Sequence, residues 1–289
     1  MTISALYIYP IKSLGGIAVS NVVVEPKGFQ HDRRFMLVSP THDGGGIFIT
    51  QRTNHQMALI DVAIDKANGH LRVWHRNDPV NVLTLPLTPV VDTLMPVPVS
   101  IWDSENVPAV RVSDEADRWF SDALGKPCHL VYMPEATHRT VDPAYARPTD
   151  AVSFADGYPY LLIGQASLDD LNQRLPDPIG MERFRPNIVV EGSLPYEEDS
   201  WQQFSVGELD FSGVKPCARC VLTTIDPATG ERGPEPLRTL TTYRQYKHKI
   251  LFGQNVLLTD VNATGTLRVG DTVAVLNRVD PWLTATSPA

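Results

Sequence analysis

At 289 residues, the chain is long enough for one large domain or two ordinary ones of roughly 150 residues each. Hydrophobic residues make up 43% of it, enough to bury a full core without disulfide staples. Twenty-five basic residues against 33 acidic ones leave a formal charge of −8, the wrong sign for a nucleic-acid-binding chain, although a basic pocket can sit inside an acidic average. No apolar run approaches the ~20 residues that a membrane-crossing helix needs, and Met1–Pro10 lacks the basic start of a signal peptide. Three cysteines are too few, and odd, for a disulfide framework. No membrane association and a cytoplasmic location are therefore expected.

In chain order, the first half reads as short strands. Ile3–Tyr9, Ile17–Glu25, Phe35–Val38, Ile47–Thr50, Leu59–Ile64 and Leu71–Trp74 are rich in β-branched and aromatic residues. Turn signals separate them, such as Asp43-Gly44-Gly45-Gly46 and Asn68-Gly69. Ser113 then caps a helix with Asp114 and Glu115 in its first turn, Ala116, Trp119, Phe120, Ala123 and Leu124 at helical spacing, and Gly125 as its stop. Residues 134–150 are polar, proline-bearing and aperiodic, a connection or lid between two β units. A second helix starts at Ser167, with Asp170 completing a capping box and Leu168, Leu171 and Leu175 on one face. Strands return at Asn187–Glu191, Val206–Phe211, Cys220–Ile225, Asn255–Leu258 and Thr272–Leu276, the last fed by Gly265–Asp271. The pattern predicts a mainly β protein of barrel or sandwich type: an N-terminal β unit over residues 1–125, a second β unit with a few short helices over 126–281, and a tail at 282–289.

The sharpest local feature is Lys215-Pro-Cys-Ala-Arg-Cys220, which contains a C-x-x-C. A zinc site needs two further ligands, and Cys128 and His248 are poorly spaced for that. A thioredoxin-like pair belongs at a helix start, whereas Val221–Ile225 is β-prone. Two small buried residues at a strand start, or one thiolate on a soft metal with Arg219 beside it, remain open. No Walker or Rossmann glycine loop is present, and the eight histidines show no ligand spacing.

The wider set of motifs resembles MOSC-domain proteins of the mitochondrial amidoxime-reducing component and bacterial YcbX type, over nearly the whole chain. It rests on Tyr9-Pro-Ile-Lys-Ser13, Asp32-Arg-Arg-Phe-Met-Leu-Val38, Phe154-Ala-Asp-Gly-Tyr-Pro-Tyr160, Ala166–Asn172, Arg183-Phe-Arg-Pro-Asn-Ile-Val189, Asp199-Ser-Trp201, the two-cysteine run and Leu251-Phe-Gly-Gln-Asn255, in that order. The resemblance implies a molybdenum–molybdopterin cofactor with Cys220 as catalytic metal ligand and Cys217 as a neighbour. Lys12, Ser13, Arg34, Gly157, Tyr158, Arg185, Asn187, Ala218, Arg219 and Asn255 are the implied cofactor contacts. Such a ligand is anionic, and charge-assisted Arg and Lys donors suit a buried phosphate.

The same resemblance implies reduction of N-hydroxylated small molecules such as amidoximes, hydroxylamines and N-hydroxylated bases. Some relatives carry a ferredoxin-like tail, whose [2Fe–2S] cluster needs four cysteines. With three cysteines, and none after Cys220, no iron–sulfur cluster is expected in this chain. Electrons are then expected from a separate ferredoxin-, flavodoxin- or reductase-like protein. The rival expectation is a cofactor carrier or persulfide sulfur-transfer protein without turnover.

Overall fold

A computed structural model describes residues 1–283; most of the tail expected at 282–289 lies outside the described residues. The architecture is mainly β, as the sequence predicts. A closed barrel forms from strands Phe35–Pro40, Gly46–Phe48, Met95–Ile101, Ser104–Arg111 and His129–Tyr132. A three-stranded sheet, Ile60–Asp65, His70–His75 and Asp78–Pro86, packs with it around the Phe35, Leu37, Leu71 and Phe120 core. Asn21–Glu25, Gly28–Phe29 and Gly265–Arg268 form a second three-stranded sheet, and the other strands build a nine-stranded sheet whose core centres on Trp201, Phe204 and Phe211.

The two halves are tied by the N-terminus. Strand Thr2–Ile8 pairs antiparallel with Ile188–Glu191 in the C-terminal sheet, so the chain starts in one half and then builds the other. The expected Ile17–Glu25 strand is broken at Ser20: Ile17–Val19 pairs with the first strand, and Asn21–Glu25 pairs with Gly265–Arg268. The expected Val206–Phe211 strand is instead a hairpin corner, since Gly207 at φ 59° turns Trp201–Val206 into Leu209–Arg219.

Helix Asp114–Leu124 forms as its caps dictate. Ser113 accepts from the Ala116 amide at 3.1 Å, and Gly125 closes the helix at φ 65°. The second helix spans Gln165–Arg174 and has no capping box. The Ser167 hydroxyl is committed elsewhere, donating to the buried Glu198 carboxylate at 2.8 and 2.9 Å. Residues 134–150 are a packed connection: Thr137 bonds Pro108 O at 2.8 Å, and Thr137, Arg139 and Val141 are buried. Among the described residues no helix is long and apolar enough to cross a membrane.

Strand Leu209–Arg219 lies against Lys249–Leu258 with two register breaks, between Gly213 and Lys215 and between Pro216 and Ala218. At the second break the partner strand carries the extra residue, and Gly253 sits there at φ 80°. A Cβ on Gly253 would lie 2.7 Å from Ile163 Cγ1 and 2.9 Å from Leu162 O, so only glycine fits. These bulges bend the strand that delivers Cys217 and Cys220.

Candidate functional site

Leu209–Arg219 ends at Arg219, and Cys220 follows at its end. The run Val221–Thr224 is a short 3-10 turn and not the strand expected, because Thr223 N and Thr223 Oγ1 both turn back to Cys220 O, at 3.1 and 3.0 Å. Local hydroxyl bonding overrides the β propensity of the run. Cys217 and Cys220 are both half-buried and free. They line a cavity of about 760 Å³, mouth included. Cys128 lies buried in the N-terminal core beside Ser121, so the C-x-x-C does not recruit it as a zinc ligand. Among the described residues no three His, Cys, Asp or Glu side chains cluster for a metal, so a metal here would depend on a single thiolate and its own ligand.

All the residues expected at the site line this cavity except Arg34. Arg34 is buried on the other side, bonded to Glu135 Oε2 at 2.5 Å and Met133 O at 3.3 Å, with Glu25 at 3.7 Å. Its neighbour Arg33 lines the cavity instead. Arg33 sits in a turn at φ 49°, two residues before strand Phe35–Pro40, and its guanidinium reaches Asn187 and Arg185 while that of Arg34 reaches Glu135. The resemblance pointed to Arg34 alone, whereas the folded chain turns Arg33 toward the cavity.

Arg33 is braced by the protein itself. It donates to Asp32 at 2.6 Å, Asn187 Oδ1 at 3.1 Å and Arg185 O at 3.1 Å. Asn187 is spoken for as well, also accepting from Leu161 N at 3.3 Å and donating to Tyr7 O at 3.2 Å. Tyr9 lies between the Arg33 and Arg185 guanidinium groups, each 4.2 Å from its ring centroid. Burial pushes the Tyr9 hydroxyl pKa well above its usual value, partly opposed by those two cations. It stays neutral and donates to Pro186 O at 3.0 Å.

Lys12 is 4% exposed; its ammonium donates to Phe154 O at 2.8 Å and pairs with Asp156. Burial pulls the lysine down to about 8 against the pull of Asp156. Asp156, the sole acid on the cavity wall among the described residues, is held well below the usual carboxylate range by the Lys12 ammonium and the Arg52 guanidinium. Arg139, which the sequence did not single out, fixes the loop behind it, donating to Ser153 O, Ala155 O and Asp156 O at 2.9, 2.6 and 2.9 Å.

Several donors are left over. Arg185 Nη1 bonds Leu14 O at 2.7 Å, yet Nη2 is buried with no partner. Arg219 bonds Cys217 Sγ at 3.1 Å and Phe184 O at 2.6 Å, yet Nε is orphaned. The cation beside the thiols thus grips Cys217 and not Cys220. A Cβ at Gly157 would meet nothing within 4 Å. Ser13, Arg33 and Arg185, all on the wall, occupy left-handed backbone at φ 67°, 49° and 56°. Such strain concentrates where a ligand is gripped. Buried orphan donors cost free energy until something accepts from them.

Fold and cavity together define a two-part β protein with a cationic cavity beside a thiol, suited to a small anion. The chain belongs to the MOSC-domain family: residues 149–274 match the MOSC domain, and residues 1–127 match the MOSC N-terminal beta barrel domain. It is 33% identical to mitochondrial amidoxime-reducing component 1 of Homo sapiens, over 96% of this chain and 83% of that protein. The Mus musculus protein of the same name is also 33% identical, with the same coverage. Molybdenum cofactor sulfurase of Oryza sativa subsp. japonica is 31% identical over 87% of this chain, which spans 32% of that protein.

Proposed function

We propose that this protein is a molybdenum-cofactor-dependent reductase of N-hydroxylated small molecules, supplied with electrons by a separate protein. The observation that carries the reading is the pair of unpaired, buried guanidinium donors on Arg185 and Arg219, in the same cavity as Cys220. A chain of net charge −8 that walls one cavity with Lys12, Arg33, Arg185 and Arg219 is matched to an anionic ligand. A phosphorylated pterin dithiolate has that charge, and a soft metal accepts a thiolate. Likeness to amidoxime-reducing components supports the substrate class.

When bound, the cofactor would supply the two-electron chemistry that breaks an N–O bond. Cys220 would furnish the protein's sulfur ligand. Arg185, Arg219 and Lys12 would hold the phosphate and the pterin; Asn187, whose oxygen accepts from Arg33 and Leu161, would fix Arg33. Cys217, hydrogen-bonded by Arg219, stays a neighbour.

A second reading, a cofactor carrier or persulfide sulfur-transfer protein acting through Cys220, is favoured by the likeness to molybdenum cofactor sulfurase. The deciding experiment measures molybdenum and pterin per chain, with reduction of 6-hydroxylaminopurine by a chemical donor. The reductase reading expects turnover by the wild type and background rates in Cys220→Ala, with Cys217→Ala retaining activity. Cofactor held without turnover would select the carrier, and a protein that never takes up molybdenum would sink both.

A further inference from the structure

The tip of one hairpin of the N-terminal barrel backs two residues of the cavity wall, Arg52 and Asp156. Strands Met95–Ile101 and Ser104–Arg111 join through a two-residue turn, Ile101 pairing with Ser104. The first turn residue is Trp102, at φ 51°. Positions of this kind go to Gly, Asn or Asp, and a bulky aromatic is uncommon there because its Cβ crowds the backbone. Burial does not account for the choice, since the residue is 37% exposed.

Its contacts do. The Phe48 ring packs against it edge-on, centroids 4.6 Å apart, and the Arg52 guanidinium lies 4.0 Å from the indole centroid. The indole N–H donates to Asp156 Oδ1 at 3.2 Å, and Arg52 Nη2 donates to Asp156 Oδ2, also at 3.2 Å. Arg52 is therefore held flat by a ring on one side and a carboxylate at its edge. It lines the cavity, is a quarter exposed, and keeps an unpaired Nε. Neither residue belongs to the motifs that the sequence singled out.

The geometry points to Arg52 as a substrate-contacting residue on the cavity wall, with Trp102 as the positioning residue that keeps its guanidinium flat. The substrates that gain are planar, conjugated N-hydroxylated compounds. A guanidinium backed by an indole presents a delocalised cationic plane on which a flat π system stacks. Hydroxylamine itself has no face to offer. The assignment rests on the N-reductase reading and adds what that reading leaves open: which half of the molecule reads the substrate's shape.

The test uses the full-length, cofactor-loaded protein with Trp102→Asn, Trp102→Phe and Arg52→Ala. Asparagine suits a left-handed turn, so Trp102→Asn should fold with an unchanged or higher thermal midpoint. KM for 6-hydroxylaminopurine is expected to rise about tenfold in Trp102→Asn and Arg52→Ala, the value of one good stacking contact. The rise for hydroxylamine should be at least about fivefold smaller, with kcat and molybdenum content little moved. Trp102→Phe keeps a ring under the guanidinium and should lie nearer the wild type. Equal rises for both substrates, or molybdenum content falling with the KM effect, would overturn the assignment; the latter would make Arg52 a cofactor anchor. If the wild type reduces neither compound, the N-reductase reading fails, and calorimetric binding of 6-hydroxylaminopurine then decides the platform. Binding about tenfold weaker in Trp102→Asn upholds it, whereas equal binding, or none by the wild type, rejects it.

Discussion

Among the regions of this molecule that bury charge, two treat it in opposite ways. Beside helix Gln165–Arg174, Glu198 is fully enclosed and accepts from Ser167 and from Gly164 N at 3.1 Å. Burial, then the neighbouring Asp199, pushes its carboxyl up to about 7. Asp199 pairs with Arg244, which also donates to Leu251 O at 3.1 Å and covers the Tyr196 ring. Apart from one Asp199 oxygen, charge there is consumed within the protein. The cavity is the reverse. Burial pulls Arg185 down to about 10, and it still carries a donor that nothing accepts. The first region spends its charges on architecture; the second keeps them for something from outside.

The comparison breaks most easily at its structural end. Arg244→Leu leaves Asp199 buried without its cation, a loss expected to cost about 3–5 kcal/mol of stability. Urea unfolding should show it as a large drop in midpoint at constant slope. Arg185→Ala should behave differently. It forfeits the Leu14 bond and the Tyr9 contact but also relieves a buried charge, so its stability should shift by no more than ~1 kcal/mol. Its cost should fall on the ligand: cofactor affinity down about 10- to 100-fold, read as molybdenum and pterin retained after dialysis. An Arg185→Ala protein that unfolds as readily as Arg244→Leu would erase the distinction between scaffold and site.

Legibility from sequence followed locality. The helix at Asp114–Leu124 was readable because Ser113 and Gly125 act on their own neighbours. The strands Met95–Ile101 and Ser104–Arg111 were not, because Pro96, Pro98 and Pro108 argue against strands unless they pair across one hairpin, as Pro98 and Pro108 do. Ser167 looked like a cap because Glu198, its true partner, lies 31 positions away. At the cavity, the motifs supply most of the lining side chains. The choice of Arg33 over Arg34, and the presence of Arg52, Arg139 and Asp156, depended on φ angles and on loops that meet only after folding. Pattern located the segments; tertiary contact assigned the side chains.

The smallest effect tests the cavity's reserve of charge most directly. Lys12, near 8, is largely protonated at pH 7 and half discharged at about 8. An anion docking beside it raises that value, so binding near pH 8 takes up protons, whereas near pH 6 the lysine is already charged and uptake vanishes. Affinity for an anion should therefore fall as pH rises through about 8, by at most ~tenfold per unit. Isothermal titration of the cofactor-free protein with inorganic pyrophosphate, in buffers of different ionisation enthalpy, reads the uptake, and Lys12→Met should abolish it. Stability moves the other way. The folded value near 8 lies below the ordinary 10.5, so between them the unfolded chain binds the extra proton. The penalty of a buried ammonium is full below 8 and is relieved as pH climbs to 10.5, which stabilises the fold. Above pH 8 the lysine should cost the fold less and serve the ligand worse; proton uptake persisting in Lys12→Met would place the titrating group elsewhere.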